Sequence, residues 1–199
     1  MNRVLALTLV VGAVLAVPTT SRAAMIVFAA HLDGPSESPP TTSLGVGDAL
    51  VTYANVAHTL HVQVTFSGLT TGTTAAHIHA PTPAPGTRTA GVATTTPYFE
   101  GFPIGVTSGS YDHTLDLTQA SSYNPAFVTA NGGTPAGVEA ALTSAMAAGE
   151  AYFNIHTTMN PGGEIRGFLE PVPEPASLAL LGIGAAGLIS YGSRRRKLA

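Results

Sequence analysis

Three histidines are the residues of this chain whose types and spacing best suit chemistry. His77 and His79 lie two positions apart, so in an extended strand their side chains share one face, while Ile78 between them faces the core. His156 has the same outward parity in a second alternating segment. Neutral imidazole nitrogens are common ligands of Zn(II) and Cu(II). The spacing therefore predicts that His77, His79 and His156 converge on one copper or zinc ion.

The same histidines also fit a purely structural role. Glu164 and Arg166 are expected on the outward face of the following strand, where they would form a hydrogen-bonding network with His156. Two interpretations stay open: metal ligands with Glu164 and Arg166 as supporting residues, or a structural network without metal. Three other histidines are expected at the surface or in turns and a fourth in the interior, namely His31, His58, His61 and His113.

No catalytic motif accompanies these histidines. The chain has no cysteine nucleophile and no Gly-x-Ser-x-Gly elbow. Its carboxylates are scattered, so they do not suggest the paired acids of a glycoside hydrolase. The sequence favours a non-catalytic role and leaves enzymatic activity open.

The elements that must position the histidines are strands. Leu60, Val62, Val64 and Phe66 alternate with polar residues, which indicates a half-buried strand. Similar patterns predict strands over residues 25–32, 48–53, 59–66, 75–79, 109–117, 151–157 and 164–169. One helix is expected over 134–148, with Thr134 as its cap, and residues 80–97 are expected to form a long exposed loop. The predicted fold is an antiparallel, Greek-key-like β-sandwich with one short crossover helix.

The charge of the central region narrows the choice of partners. Residues 24–171 carry ten acidic residues and two basic ones, Arg88 and Arg166, which gives a formal net charge of −8 with neutral histidine. An acidic domain repels phosphate backbones, so nucleic acid is not an expected partner. Cations are the favoured counterions.

The N-terminal 23 residues have the pattern of a secretory signal peptide. Arg3 provides a positive start, residues 4–17 form an apolar segment, and Ser21 and Ala23 are small residues at the −3 and −1 positions of a cleavage site. An apolar segment of this length is too short to cross a bilayer. The chain is therefore expected to be exported, with a single domain over residues 24–171.

The C-terminal residues 172–199 have a second targeting pattern. Pro173, Glu174 and Pro175 precede 17 uncharged residues, 176–192, and then the basic cluster 194–197. Seventeen residues are at the lower limit for crossing a hydrocarbon core of roughly 30 Å, and the basic end is expected to stay cytoplasmic. This order resembles the PEP-CTERM sorting signal of Gram-negative bacteria. The resemblance implies a temporary membrane anchor and an exosortase-type processing protease as partner.

Three segments of the central region resemble the CHRD domain, a module named from chordin and common in exported bacterial proteins. The first is LDG at 32–34, followed by Glu37, Pro39, Pro40, Gly45 and Gly47, and the second is AHIHAP at 76–81. The third, AYFNIHT at 151–157 with NPGGEIRG at 160–167, is the longest. The resemblance covers about residues 25–170. The resemblance implies the fold and an exported location, and it says less about the activity.

Two functions follow as expectations. The first is a non-catalytic domain of the cell envelope or extracellular matrix, sorted by a PEP-CTERM system and contacting an envelope or matrix polymer. The alternative is a histidine-based copper or zinc protein, either a metal binder or an oxidoreductase. A His-x-His strand pair in a β-sandwich is similar to part of the Cu/Zn superoxide dismutases, although their bridging histidine and disulfide patterns are not visible here.

Overall fold

The computed structural model describes residues 25–173, which form eight strands and two short helices. The strands β1 to β8 are Met25–Asp33, Val46–Ala54, Thr59–Ser67, Thr73–His79, Gly109–Asp116, Tyr152–Thr157, Ile165–Phe168 and Glu170–Pro171. The helices are α1, Pro125–Ala130, and α2, Pro135–Ala147, preceded by a 3-10 turn over Ala120–Ser122. The predicted signal peptide and all of the predicted sorting segment beyond Pro173 lie outside the described residues.

All strand pairs are antiparallel and belong to one curled sheet, a half-barrel that wraps around the core. The strand order is β4-β6-β7-β1-β2-β3-β5, with β8 beside β1. The chain crosses from β3 to the far edge at β4 and returns to pair β5 with β3, a Greek-key-like path. Helix α2 lies on the crossover from β5 to β6. The prediction of an antiparallel β fold with one crossover helix is confirmed.

The core forms where the strand alternation predicts it. Leu60, Val62, Val64 and Phe66 of β3 are all at most 4% exposed, so one side of this strand faces the interior and the other faces solvent. Val62 lies opposite Val51 on β2. Burial of alternate apolar side chains along each strand is the main favourable term that holds the sheet in its curled form.

Helix α2 begins as the sequence predicts. The side chain of Thr134 accepts a hydrogen bond from the backbone N–H of Gly137 at 3.3 Å, which satisfies one of the free donors of the first turn. Val138, Leu142 and Met146 of this helix are fully buried. Helix α1 was not predicted, because six residues are too few to show a helical period, although Asn-Pro at 124–125 is a helix start signal.

The expectation that residues 80–97 form an exposed loop is wrong for the part that pairs antiparallel with the free edge of β4. The backbone N–H of Ala93 donates to the carbonyl oxygen of Ile78 at 2.9 Å, and Val92 bridges to His79. Ala93 and Thr94 are fully buried. The same loop places the carbonyl groups of Ala90 and Pro97 against His79 and His77 on the outer face of β4, so a face that the sequence places away from the core is nevertheless shielded from solvent. We call residues 80–97 the cover loop.

None of the helices within residues 25–173 is long and apolar enough to cross a membrane. The apolar segment 176–192 is outside this range.

Candidate metal centre

Strand pairing brings the three predicted histidines together. His77 and His79 lie on β4 and His156 on β6, and the two strands are neighbours in the sheet. The ring centroids are 5.2 Å apart for His77 and His156, 5.6 Å for His79 and His156, and 5.7 Å for His77 and His79. One nitrogen from each ring lies within 4.8 Å of the other two. Among residues 25–173 this is the one group of three histidine or acidic side chains arranged to hold a metal ion.

The three rings are buried, contrary to the outward and exposed position that alternation suggests. His77, His79 and His156 are 6%, 7% and 9% exposed. They do lie on the face opposite the core, but the cover loop and the turn over residues 158–163 close over them. Polar groups removed from water in this way need hydrogen-bond partners.

Each ring has one such partner, and in every case it is a backbone carbonyl. Nε2 of His77 lies 2.7 Å from the carbonyl oxygen of Pro97, and Nδ1 of His79 lies 3.0 Å from that of Ala90, both in the cover loop. Nδ1 of His156 lies 3.0 Å from the carbonyl oxygen of Pro161. A carbonyl oxygen can only accept a hydrogen bond, so each of these ring nitrogens carries the proton.

The second nitrogen of each ring is therefore an unprotonated lone pair in the neutral tautomer. These atoms, Nδ1 of His77, Nε2 of His79 and Nε2 of His156, are buried and have no hydrogen-bond partner in the described part of the chain. A buried polar atom without a partner costs about 1–3 kcal/mol. In metal sites, a histidine ligand usually donates from its other ring nitrogen to a fixed acceptor, and each of these three rings has such an acceptor.

Burial also keeps the rings neutral. It lowers the pKa of His77 and of His79 to about 4, and this effect exceeds the opposing influence of the carbonyl acceptors. Burial lowers the pKa of His156 in the same way. At neutral pH the three lone pairs are available to a metal, since a protonated imidazole cannot bind one.

The size of the site fits a first-row transition metal after a small contraction. An equilateral triangle with 4.8 Å sides has its centre about 2.8 Å from each corner, against the roughly 2.0–2.1 Å of a Zn–N bond. Each ring would have to move inward by less than about 1 Å to reach bonding distance.

Arg166 supports the site indirectly. Its side chain is 4% exposed. Its Nε donates to the carbonyl oxygen of Ser36 and its Nη1 to that of Arg88, at 3.0 Å, so it ties two surface segments together. The guanidinium carbon lies 4.8 Å from the ring centre of Tyr152, and that ring stacks on His79 with centroids 4.8 Å apart. Arg166 thus orders the surroundings of His79 without touching the lone pairs.

Glu164 contacts other partners than the sequence suggests. It is fully buried and accepts hydrogen bonds from Oγ of Ser43, at 2.6 Å, from the backbone N–H of Thr70, at 2.6 Å, and from Oγ1 of Thr157. The predicted hydrogen-bonding network of His156 with Glu164 and Arg166 is wrong, because the hydrogen bond of His156 within residues 25–173 goes to Pro161.

The other histidines lie elsewhere. His31 pairs with Asp48 at 2.9 Å, and His61 pairs with Asp112 at 2.7 Å, both on the exposed face of the sheet. These two surface predictions are confirmed. His58 lies in the turn between β2 and β3, and His113 is partly buried in β5.

Two residues near the site were missed by sequence reasoning. Tyr152 has the same parity as His156 on β6, so alternation alone could have placed its ring on the same face as the three histidines. Glu37 is 6% exposed and its Oε2 lies 3.8 Å from Nε of Arg166. It comes from a loop far away in the sequence, and no local pattern shows where that loop folds.

Comparison with known proteins identifies a domain family and a sorting signal in this chain. The CHRD domain model matches residues 28–169 and the PEP-CTERM protein-sorting motif matches residues 171–197. No curated protein and no solved structure gives a significant match. The PEP-CTERM motif marks secreted, envelope-targeted proteins of Gram-negative bacteria that an exosortase-type enzyme processes. Since the CHRD match spans more than half of the 199 residues, this chain belongs to the CHRD domain family and is an exported protein with a PEP-CTERM sorting signal.

Proposed function

We propose that this exported protein is a metal-binding module that holds one Cu(II) or Zn(II) ion per chain between His77, His79 and His156. Two observations carry the proposal: each of the three histidines has one buried ring nitrogen without a partner in the described part of the chain, and one nitrogen from each ring lies within 4.8 Å of the other two. A metal ion would satisfy all three at once. A structural role alone would leave three acceptors buried and unsatisfied.

The ligand set indicates the kind of metal site. Three imidazoles suit copper and zinc, and the chain has no thiol that would favour soft-metal chemistry. Structural zinc sites have four protein ligands, whereas three ligands leave a position open for water or another small ligand. The site is therefore of the open kind. The carbonyls of Ala90, Pro97 and Pro161 act as the fixed acceptors that orient the ligand rings.

The location of the module follows from its sorting signal and its charge. We infer that it acts in the cell envelope or the extracellular matrix, after loss of residues 1–23 and processing near Pro173, Glu174 and Pro175. The net charge of −8 over residues 24–171 favours the accumulation of cations around it. Before processing, the basic cluster 194–197 would hold the C terminus on the cytoplasmic side of the membrane.

Calorimetric titration of the metal-free, full-length protein with Cu(II) and Zn(II) tests the proposal. We expect one saturable site per chain near pH 7. Replacing any one ligand, as in His77→Ala, His79→Ala or His156→Ala, should weaken binding at least about 100-fold, because even residues that only support ligands contribute 10–100-fold. His31→Ala removes an exposed histidine paired with Asp48 and serves as the control.

The proposal fails if no one-to-one binding is seen, or if His31→Ala weakens binding as much as the three ligand variants do. If copper binds, a superoxide dismutation assay of the loaded protein separates an oxidoreductase from a non-catalytic module.

A further inference from the structure

Both ends of the described chain lie at one end of the sheet. Met25 begins β1 and pairs with Ala54, the last residue of β2. The backbone N–H of Val172 donates to the carbonyl oxygen of Val27 at 2.8 Å, so the chain leaves β8 beside the start of β1. The sorting segment therefore departs from this end of the domain.

Four exposed apolar side chains are grouped at the same end. Met25, Ile26, Val56 and Val172 are 65%, 40%, 57% and 45% exposed. They belong to the start of β1, to the turn between β2 and β3 and to the residue directly after β8. Single apolar residues on a surface are ordinary, whereas a group of them marks a contact surface for a protein or a membrane. We call these four residues the tail-side rim.

The length of the connection limits how far the tail-side rim can lie from a bilayer. Ala176, the first residue of the apolar stretch 176–192, comes four residues after Val172. Four extended residues span at most about 14 Å. The headgroup layer outside the hydrocarbon core is about 5–8 Å deep. When the stretch crosses a membrane, about 9 Å or less therefore remains between Val172 and the lipid headgroups.

The charges near the rim indicate which membrane surface suits it. Glu170 in β8 and Asp116 at the end of β5 are exposed acidic residues on this side of the sheet. The two basic residues of the described chain lie elsewhere, because Arg166 is opposite Asp33 at the far end of β1 and is bonded to the carbonyl oxygen of Arg88. With no lysine or arginine among residues 25–173 at the rim, it does not attract anionic headgroups. Its apolar side chains favour shallow insertion between neutral headgroups.

The broad outer face of the sheet is a poorer membrane contact than the rim. It presents two polar pairs, His31 with Asp48 and His61 with Asp112. Pressing these pairs against lipid would remove their carboxylates from water, which is costly. Contact through the rim leaves both pairs in water, so the rim is the favoured point of contact.

We propose that the tail-side rim is a membrane-contacting surface that rests on the neutral lipid headgroups of the bilayer holding the sorting segment. The side chains of Met25, Val56 and Val172 lie between headgroups, and the sheet extends away from the membrane. The motif at 173–175 is then held in the narrow gap between the rim and the hydrocarbon core. The proposal rests on the membrane segment inferred under the proposed function and is independent of metal binding.

The chain contains no cysteine, so a single introduced cysteine can carry a fluorescent label. Residues 24–199 with Val56→Cys are labelled and inserted into phosphatidylcholine vesicles that contain a lipid with a nitroxide on its headgroup. We expect the label at position 56 to lose most of its fluorescence, because a nitroxide quenches only over short distances. The loss should persist at about 1 M salt, where charge interactions are screened within about 3 Å.

Variants at the opposite end of the sheet are the matched controls. A label on Met159→Cys, at a position 64% exposed after β6, should keep its fluorescence. Met25→Asp combined with Val172→Asp places two charges on the rim and should restore the fluorescence of the label at position 56. Leu44→Asp, at a position 92% exposed before β2, should not restore it. If the double variant does not fold, the comparison of positions 56 and 159 decides.

Flotation of the vesicles separates a failure of anchoring from a failure of the rim contact. A chain that does not float with the vesicles overturns both the membrane segment and the rim contact. A floating chain whose label at position 56 is unquenched, or is quenched no more than the label at position 159, overturns the rim contact alone. Disulfide cross-linking of unlabelled Val56→Cys in the vesicles would overturn it by placing a second copy on the rim. His77→Ala should leave the quenching unchanged, so the metal proposal is tested separately.

Discussion

The imidazole rings of His77 and His156 meet at a steep angle, with centroids 5.2 Å apart and planes inclined by 66°. His156 is not opposite His77 in the β4–β6 ladder but opposite Ala75, whose small side chain leaves room for the ring to lean toward its neighbour. Diagonal neighbours on adjacent strands are within reach of long or aromatic side chains. The same offset brings one nitrogen of each of the two rings within 4.8 Å of the other.

The metal-free protein should lose stability as the pH falls from about 6.5 toward 4. Burial lowers the pKa of His77 and His79 from 6.5 to about 4. Above pH 6.5 the rings are neutral in both the folded and the unfolded state. Below it the unfolded state takes up protons that the folded state cannot, which corresponds to about 3 kcal/mol for His77 alone. Urea unfolding at a series of pH values measures how the free energy of unfolding changes with pH.

Glu37 has the opposite effect on the pH dependence of stability. Burial raises its pKa from 4.5 to about 7, so its ionisation lowers the stability of the folded state as the pH rises through that range. One such carboxyl group does not offset three buried histidines. His77→Gln should therefore make the free energy of unfolding depend less steeply on pH. A metal-free protein whose stability is flat between pH 4.5 and 6.5 would contradict the buried, neutral state of the rings.

Glu164→Gln should lower the free energy of unfolding by about 1.5–3 kcal/mol, the usual range for hydrogen bonds to a charged group. The Glu164 carboxylate accepts hydrogen bonds from Ser43, Thr70 and Thr157. An amide can accept through only one of its two polar atoms. Glu170→Gln, at an exposed position, is the matched control. Equal midpoints for the two variants in urea would show that Glu164 does not hold these segments.

Val62→Asp should destabilise the fold by several kcal/mol, because it places an unpaired charge in the core. Val62 is fully buried on β3, whereas Val56 is 57% exposed in the turn before that strand. Val56→Asp makes the same chemical change at the surface and should have little effect. Thermal unfolding followed by circular dichroism compares the two, and similar melting temperatures would refute the assignment of this core face.

Protein isolated from its native host should lack both terminal segments. The motif Pro173-Glu174-Pro175 lies within the PEP-CTERM match over residues 171–197, and residues 1–23 have the pattern of a signal peptide. Intact-mass measurement of the envelope and extracellular fractions reads both ends directly. A mass that still includes Met1, or that includes Lys197 in every fraction, would contradict the prediction at that end.

Local patterns predicted the strands and the grouping of His77, His79 and His156. Alternation at Leu60, Val62, Val64 and Phe66 identified β3 because side chains on a strand alternate between faces whatever the rest of the chain does. The same rule put His77 and His79 on one face of β4. The segment AYFNIHT at 151–157, with the turn after it, indicated the CHRD family, and the family match confirmed it.

The burial of the histidine face depended on tertiary structure. Whether the face opposite the core is exposed to solvent or covered depends on the path of the long loops. Alternation along a strand does not distinguish a covered face from an exposed one. Only the folded path of the cover loop supplies the carbonyls of Ala90 and Pro97.

The same limit applies to Glu37, whose loop folds against β7 and Gly163. By itself the sequence determined which residues share a face of a strand and that the protein is exported. Which of those residues are buried, neutral and unpaired was decided by contacts between distant segments, because desolvation depends on everything packed around a group.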